Sequence, residues 1–255
     1  MVRIGVIGSG FMAETHATAY GGIDGVDVVG VAAPNTADEF VAETGLDADA
    51  YTSAAALIDG VDVDAVDVCT PTPTHRPVVE TAAERGVDVF CEKPIAGSLA
   101  DARAIAAAAE DAGITLMVGH VLRFFPQYER ARAVVRDGGI GDPGVARTRR
   151  LSPFPSWGRE NWYADRDRSG GVLVDLAVHD VDFLRWTIGD VDRVFARRSV
   201  WDGGEHAHAT LRFADGAVGY VDASWGLPAG QELTQSLELA GTDGLVEFDG
   251  DDAPV

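Results

Sequence analysis

Short apolar runs alternate with helix-like segments through the first half of the chain. The run "VRIGVIG" precedes the helical "FMAETHATAYGGI", and the alternation continues through "VDVVGVAA", "DAVDVCTPTPTH" and "VDVFCEKP" to "ITLMVGHVLRF", which is predicted as the last strand. Strands and helices at this spacing form βαβ units, whose helices cover both faces of a parallel sheet. We therefore expect a doubly wound α/β domain over residues 1–120, in which Ser98 starts a helix that Gly113 ends.

The pattern changes after residue 120. Extended runs such as "RVFARRSVW", "HAHATLRFADG" and "AVGYVDASWGL" follow a further helix, and Asp215-Gly216 is typical of a hairpin turn. A single helix, "GGVLVDLAVHDVDFLRWTIG", is predicted to interrupt these strands. Residues 121–255 are thus expected to form an α+β domain on a mostly antiparallel sheet.

The chain carries a formal net charge of −21, and Lys93 is its single lysine. So acidic a surface repels the phosphates of nucleic acids and of anionic membranes, and neither is an expected partner. Acidic excess with few lysines is typical of a halophile's cytoplasm, where concentrated salt screens the repulsion. Codon bias in a GC-rich genome predicts the same composition.

The sequence begins directly with a strand pattern and contains no apolar run that approaches the roughly 18 residues of a membrane span. We therefore expect a cytoplasmic protein without a secretory leader. Cys69 and Cys91 are too few for a disulfide framework and stand apart from other metal-ligand types in the sequence. Both are expected to be ordinary buried thiols, and no metal site is predicted.

The motif "GSGFMA" at residues 8–13 lies between the first predicted strand and the first predicted helix. In such a turn Gly8 permits the tight bend, Gly10 lets the backbone approach a pyrophosphate, and Ala13 keeps the helix close to the sheet. The helix N-terminus then offers amide donors to the phosphates. The motif predicts a dinucleotide site, with a purely structural glycine turn as the alternative.

The end of the second predicted strand bears on the choice of cofactor. An NAD site carries an acid there, about 20 residues after the glycine motif, to bind the ribose hydroxyls. This chain has Ala32 and Ala33 instead, and Asn35 is able to donate to a 2′-phosphate. NADP is therefore favoured over NAD, although no arginine follows closely and Asp38 and Glu39 oppose a phosphate.

Five further side chains follow the fourth and fifth predicted strands. In open α/β sheets the ligand lies beyond the carboxyl ends of the strands. We therefore expect a nicotinamide to meet Thr70, Pro71, His75, Glu92 and Lys93. His75 is equally compatible with a helix cap.

Asp175, His179 and Asp182 fall at positions i, i+4 and i+7, on one face of the single helix predicted there. A carboxylate beside an imidazole orients it and stabilises the imidazolium, which suits a general base for an alcohol proton. Lys93 supplies a compact cation for the developing oxyanion, which a flat guanidinium does not copy. A solvated polar stripe and a surface ion pair are the alternatives for this helix face, and a metal site is disfavoured.

The motifs "GSGFMA", "TPTPTH", "EKP", "VGHVLRF" and "GGVLVDLAVHDVDFLRW" together resemble those of the Gfo/Idh/MocA oxidoreductases, in order and in spacing. The resemblance implies a Rossmann domain and an α/β domain whose open sheet forms a dimer interface. It also implies a cis peptide bond between Lys93 and Pro94. The residues that it implies for NAD(P) binding are Gly8, Gly10, Phe11, Met12, Glu92 and Lys93; for catalysis, Lys93, Asp175 and His179; and for substrate contact, His120, Arg123 and Trp162.

Arg123 is equally compatible with a structural ion pair. Members of the family usually continue for several dozen residues beyond the point where this chain stops. The second domain is therefore expected to be short and to expose a sheet edge, which favours a homo-oligomer, a dimer or tetramer that covers it.

The function favoured by these patterns is an NAD(P)-dependent dehydrogenase or reductase acting on a sugar, a cyclic polyol or a sugar derivative. Hydride would pass to the nicotinamide while His179, oriented by Asp175, takes the hydroxyl proton and Lys93 polarises the oxygen. A non-catalytic NAD(P)-binding regulator and an inactive remnant of the same fold are the alternatives.

Overall fold

The computed structural model describes residues 1–156 and 159–250, of which residues 159–161 are described by their backbone alone. Its contacts divide the described residues into two compact units. The first comprises residues 1–119 and 159–169, and the second comprises residues 120–156 and 170–250. The segment 159–169 thus packs with the first unit, although it lies within the second predicted domain. Among the described residues no helix is long and apolar enough to cross a bilayer.

The first unit is built on a six-stranded parallel sheet in the order β3-β2-β1-β4-β5-β6. Its strands are β1 (Val2–Ile7), β2 (Val26–Ala32), β3 (Asp49–Tyr51), β4 (Ala65–Val68), β5 (Asp88–Cys91) and β6 (Leu116–Val118). Its helices are α1 (Phe11–Tyr20), α2 (Ala37–Thr44), α3 (Ala54–Gly60), α4 (His75–Glu84) and α5 (Leu99–Ala112). The prediction of a doubly wound parallel sheet is confirmed.

Alternate residues of the parallel strands enter two separate cores. On β1, Ile4 and Val6 pack with Ala13 and Ala17 of α1 and with Phe40 of α2. The neighbouring residue Ile7 packs instead with buried side chains of α3, α4 and α5, among them Leu57, Val79 and Ile105. Because both faces of the sheet are covered, its strands are mostly apolar, and a ligand site is expected at their carboxyl ends.

Two termini in this unit match their sequence signals, and one does not. Ser98 caps α5 by accepting a hydrogen bond from the backbone N–H of Asp101 at 3.1 Å, and Gly113 ends it in the left-handed conformation. The run "ITLMVGHVLRF" is not one strand, since β6 stops at Val118 and a 3-10 turn covers Val121–Phe124. Its apolar content is equally compatible with both conformations, so the pattern alone did not separate them.

The second unit contains a six-stranded sheet in the order β12-β11-β7-β10-β9-β8. Its strands are β7 (Pro143–Pro153), β8 (Val191–Trp201), β9 (Gly204–Phe213), β10 (Val218–Leu227), β11 (Thr234–Gly241) and β12 (Leu245–Asp249). All neighbours pair antiparallel except β7 and β10, so a mostly antiparallel sheet is confirmed. Gly216 sits in the predicted β9–β10 hairpin with φ of +99°.

The second unit also contains α6 (Pro126–Arg136), α8 (Val172–Asp175) and α9 (Val178–Thr187), whereas the short α7 (Arg166–Ser169) lies in the first unit. The single helix predicted over "GGVLVDLAVHDVDFLRWTIG" is therefore wrong. Between α8 and α9 the N–H of Ala177 donates to the carbonyl of Val172, five residues back, at 2.9 Å. This wider turn breaks the regular helical ladder and separates Asp175 from the residues of α9.

Candidate cofactor and catalytic sites

The turn between β1 and α1 has a shape that only glycine fits at its first position. Gly8 has φ of +122°, and a Cβ atom there would lie 2.7 Å from the carbonyl oxygen of Cys69. Gly10 is different, because a Cβ at this position meets no heavy atom of the described residues within 4 Å beyond its chain neighbours. Gly10 is the N-cap of α1 and makes no side-chain cap hydrogen bond, so this open space adjoins the start of the helix. An anionic pyrophosphate fits here, against Gly10, Phe11 and Met12.

The carboxyl end of β2 carries no acid. Ala32 and Ala33 are buried and Asn35 is exposed. Thr36 shares a hydrogen bond of 2.6 Å with Ser9, so the glycine turn and the end of β2 are linked. Asn35 therefore lies beside the turn, in the region where the 2′ position of an adenosine ribose is read.

The ends of β4 and β5 hold the nicotinamide-side residues predicted from the sequence. Thr70 follows β4, and its buried hydroxyl has no hydrogen-bond partner among the described residues. Such an orphaned group fits donation to a bound cofactor. Glu92 and Lys93 follow β5, where Glu92 Oε2 accepts the backbone N–H of Lys93 at 3.0 Å. The expected cis bond between Lys93 and Pro94 is confirmed.

His75 lies under these strand ends and is 1% exposed. Its Nε2 lies 2.8 Å from the carbonyl oxygen of Thr70, and its Nδ1 lies 3.1 Å from that of Pro94. Burial lowers the pKa of His75, so the neutral ring is favoured. The ring connects the segment after β4 with the segment after β5, and a role toward a cofactor would therefore be to position these segments.

In the second unit the three residues expected on one helix face are divided between two helices. Asp175 ends α8 and is 8% exposed, whereas His179 and Asp182 lie on α9. The expectation of one continuous helix is wrong, because the wide turn at Ala177 intervenes, and a shared face for the three side chains stays a prediction. A pairing of Asp175 with His179 stays a prediction.

Asp182 belongs to a different group. Arg123 donates to both of its oxygens, from Nε at 2.8 Å and from Nη2 at 2.6 Å, and His120 Nδ1 lies 3.7 Å from Asp182 Oδ2. The structure thus brings His120 and Arg123 together on one carboxylate, which favours the ion-pair interpretation of Arg123. Trp162 lies in the first unit, with its ring 4.3 Å from that of Tyr163.

Sequence reasoning missed a buried ion pair in the second unit. Arg150 on β7 donates to both oxygens of Asp180 on α9, at 2.8 and 3.1 Å, and both side chains are at most 5% exposed. Arg150 also donates to the hydroxyl of Tyr128. Successive side chains of a strand point to opposite faces, so Arg150 lies on the same inward face of β7 as Ala146 and Thr148. This alternation is the sequence signal from which a buried Arg150 could have been predicted.

Sequence reasoning also missed a cluster in the first unit formed by His16, Asp67 and Cys69. Their candidate ligand atoms all lie within 4.8 Å of one another, so the expectation that Cys69 stands apart from metal-binding side chains is wrong. The thiol of Cys69 donates to Asp67 Oδ1 at 3.3 Å, and burial raises its pKa well above the usual range. A group that keeps its proton is a poor metal ligand, so hydrogen bonding describes this cluster best.

The glycine turn, the uncapped helix N-terminus and the orphaned Thr70 hydroxyl fit a dinucleotide. Residues 2–120 match the family described as "Oxidoreductase family, NAD-binding Rossmann fold", and residues 128–247 match its C-terminal domain. The chain belongs to the Gfo/Idh/MocA family.

Gfo/Idh/MocA relatives match over nearly the whole chain. D-apiose dehydrogenase from Paraburkholderia graminis is 34% identical, and the alignment covers 96% of this chain and 67% of that dehydrogenase. Myo-inositol 2-dehydrogenase from Thermotoga maritima is 33% identical, and the alignment covers 97% of this chain and 75% of that dehydrogenase. The solved structure of levoglucosan dehydrogenase with NADH and levoglucosan is 27% identical, with a TM-score of 0.88 over 98% of this chain and 74% of that one.

Proposed function

We propose that this protein is an NAD(P)-dependent dehydrogenase that acts on a hydroxyl group of a sugar, a cyclic polyol or a sugar derivative. The observation that carries the proposal is the position of Lys93. The single lysine of the chain follows β5, at the carboxyl edge of an NAD-binding Rossmann sheet. Similar proteins bear the names of apiose, inositol and levoglucosan dehydrogenases, which supports a sugar-like substrate.

The proposed roles follow from the chemistry of alcohol oxidation. A nicotinamide bound at these strand ends would supply the acceptor for a hydride from the carbinol carbon. His179 takes the hydroxyl proton, and Asp175 orients the ring and stabilises the imidazolium. The ammonium of Lys93 stabilises the oxygen as the C–O bond becomes a carbonyl, so the products are a ketone or lactone, the reduced cofactor and a protonated His179.

Steady-state turnover tests these roles. A panel of sugars and polyols is screened by nicotinamide absorbance, with NAD and with NADP, in low and in molar salt. With the best substrate, Lys93→Met and His179→Ala should each lose most of kcat and keep the cofactor Kd. Lys93→Arg is the matched control for charge, and it should also lose activity because a guanidinium does not replace the ammonium.

Three outcomes would count against the proposal. Unchanged kcat in Lys93→Met removes the role of the lysine. Cofactor binding without turnover of any sugar would favour a regulator of the same fold. Failure to bind either dinucleotide would favour an inactive remnant.

The cofactor preference that the residues favour is NADP over NAD. Its support is the absence of an acid at Ala32 and Ala33 and the exposed amide of Asn35. The solved structure of levoglucosan dehydrogenase, a structural neighbour, contains NADH, which for that protein supports NAD rather than NADP. A ratio of kcat/KM for NADP to NAD above one would support the preference, and a ratio well below one would remove it.

A homo-oligomer through the second sheet is the proposed assembly. The edge strand β8 exposes Phe195 and Trp201, and Arg197 lies over the Phe195 ring at 5.8 Å. Large apolar side chains exposed on a sheet edge are usually covered. Light scattering should give a dimer or tetramer that Phe195→Asp dissociates, and a wild-type monomer at micromolar concentration would contradict the proposal.

A further inference from the structure

Behind Lys93 lies a group of buried polar side chains that the proposed mechanism does not use. His16 comes from α1, Asp67 from β4 and Glu92 from the end of β5, and their side chains are 16%, 1% and 12% exposed. Acidic side chains are seldom buried so deeply without a charged partner. We call His16, Asp67 and Glu92 the buried triad.

His16 lies between the two carboxylates of the buried triad. Its Nδ1 is 2.9 Å from Asp67 Oδ2, and its Nε2 is 3.5 Å from Glu92 Oε1. Asp67 also accepts hydrogen bonds from the hydroxyl of Tyr20 at 3.0 Å and from the thiol of Cys69 at 3.3 Å. With an acid at each ring nitrogen, the doubly protonated imidazolium satisfies both, whereas a neutral ring leaves one of them facing a lone pair.

The other oxygen of Glu92 leads to the candidate catalytic lysine. Glu92 Oε2 accepts the backbone N–H of Lys93 at 3.0 Å, so one carboxylate lies within ion-pair distance of the His16 ring on one side and is hydrogen-bonded to the Lys93 peptide on the other. Gly119 lies close against the same carboxylate, since a Cβ there would be 3.1 Å from Glu92 Oε1. The carboxylate therefore has little room to rotate while both contacts persist.

The charges around the ring favour its protonation. Burial lowers the pKa of His16, but the hydrogen bond and charge of Asp67 and the charge of Glu92 outweigh it and place the pKa above the usual range. Burial raises the pKa of Glu92, and the positive charges of Lys93 and His16 offset this only in part. The titratable groups around the ring from α1, β4 and β5 are Tyr20, Asp67, Cys69, Cys91, Glu92 and Lys93.

We propose that His16 is a positioning residue whose imidazolium, held between Asp67 and Glu92, keeps the Glu92 carboxylate on the Lys93 peptide and so sets the catalytic lysine for hydride transfer. The inference rests on the proposed dehydrogenase function. It adds a proton-dependent element on the first helix, behind the strand ends rather than in contact with substrate. Loss of the His16 proton releases Glu92, and turnover falls as the pH rises through the pKa of His16.

Two variants separate positioning from simple packing. Asn approximates Nδ1 of the ring and Gln approximates Nε2, so His16→Asn keeps a donor toward Asp67 and His16→Gln keeps one toward Glu92, both without a titratable cation. Each should lower kcat about ten- to hundredfold, the equivalent of one hydrogen bond to a charged group, and leave the cofactor Kd unchanged. In both, the alkaline limb of the kcat profile that His16 produces in the wild type should disappear. Thr18→Ala, at an exposed position of the same helix α1, is the matched control and should keep the wild-type profile.

An NMR titration of the full chain gives a second readout that needs no activity. The ring nitrogens of His16 should titrate above the ordinary value of about 6.5, and the backbone amide of Lys93 should shift with the same midpoint. If the limb persists in both His16 variants, or if the Lys93 amide does not follow His16, the proposal is overturned. Should no sugar be oxidised while the two resonances titrate together, the dehydrogenase proposal fails and the coupling within the buried triad remains.

Discussion

The two glycines of the first turn should respond in opposite ways to the same added methyl group. Gly8→Ala places a Cβ 2.7 Å from the Cys69 carbonyl oxygen at φ of +122°. Left-handed strain of about 1–3 kcal/mol and overpacking of about 1–3 kcal/mol together predict a loss of roughly 2–6 kcal/mol. At about 2–4 °C per kcal/mol for a chain of this size, that lowers Tm by roughly 4–24 °C, measured by calorimetry without cofactor.

Gly10→Ala is the matched control. Its φ of −92° suits alanine, and the added Cβ meets open space among the described residues. A weaker N-cap and a more restricted unfolded chain offset each other, so Tm should change little. The same Cβ occupies the space assigned to the pyrophosphate, and the cofactor Kd should rise about tenfold or more, which is about 1.4 kcal/mol. Full cofactor affinity in Gly10→Ala, or an unchanged Tm in Gly8→Ala, would refute the reasoning.

Three further outcomes follow from the side-chain contacts. Arg150→Met leaves Asp180 buried without its partner and should lower the free energy of unfolding, measured in urea, by about 3–5 kcal/mol. Arg85→Met, which removes an exposed ion pair with Asp59, should cause no measurable change. Equal losses in the two variants would contradict the burial argument. Ser98→Ala removes the cap of α5 and should cost about 1 kcal/mol, and an unchanged unfolding midpoint would show that the cap contributes little. The folded protein binds the His16 proton more tightly than the unfolded chain, so the free energy of unfolding should fall as the pH rises through the raised pKa of His16. This fall should be absent in His16→Gln. If the variant shows the same fall, another titrating group causes it.

The fold was largely readable from periodicity. Both sheets could be predicted from the spacing of apolar and turn residues. A strand that is buried on both faces is mostly apolar, whereas a strand that is buried on one face alternates apolar and polar residues. Gly113 and Gly216 mark their boundaries because each adopts a positive φ. The break at Ala177 was not readable, since "VLVDLAVHDV" is compatible with a continuous helix and only the bond to Val172 ends it.

The candidate site was readable where a motif fixes the backbone and unreadable where partners come from distant segments. The glycine turn and the residues after β5 are local features, and their positions were predicted. Asp67 was visible only as an acid within an apolar strand, and its partner His16 lies 51 residues earlier. His75 looked like a helix cap or a cofactor ligand, but its contacts with the carbonyls of Thr70 and Pro94 depend on how two loops meet.

The proposed function depends on hydride transfer from a sugar hydroxyl to a bound nicotinamide, with the Lys93 ammonium stabilising the oxygen. That step is measured directly by single-turnover nicotinamide absorbance with saturating cofactor and a C-deuterated polyol. The wild type is compared with Lys93→Met. We expect a primary isotope effect and reduced cofactor in the wild type, and bound but unreduced cofactor in Lys93→Met. Equal rates of reduction in the two proteins would contradict the account.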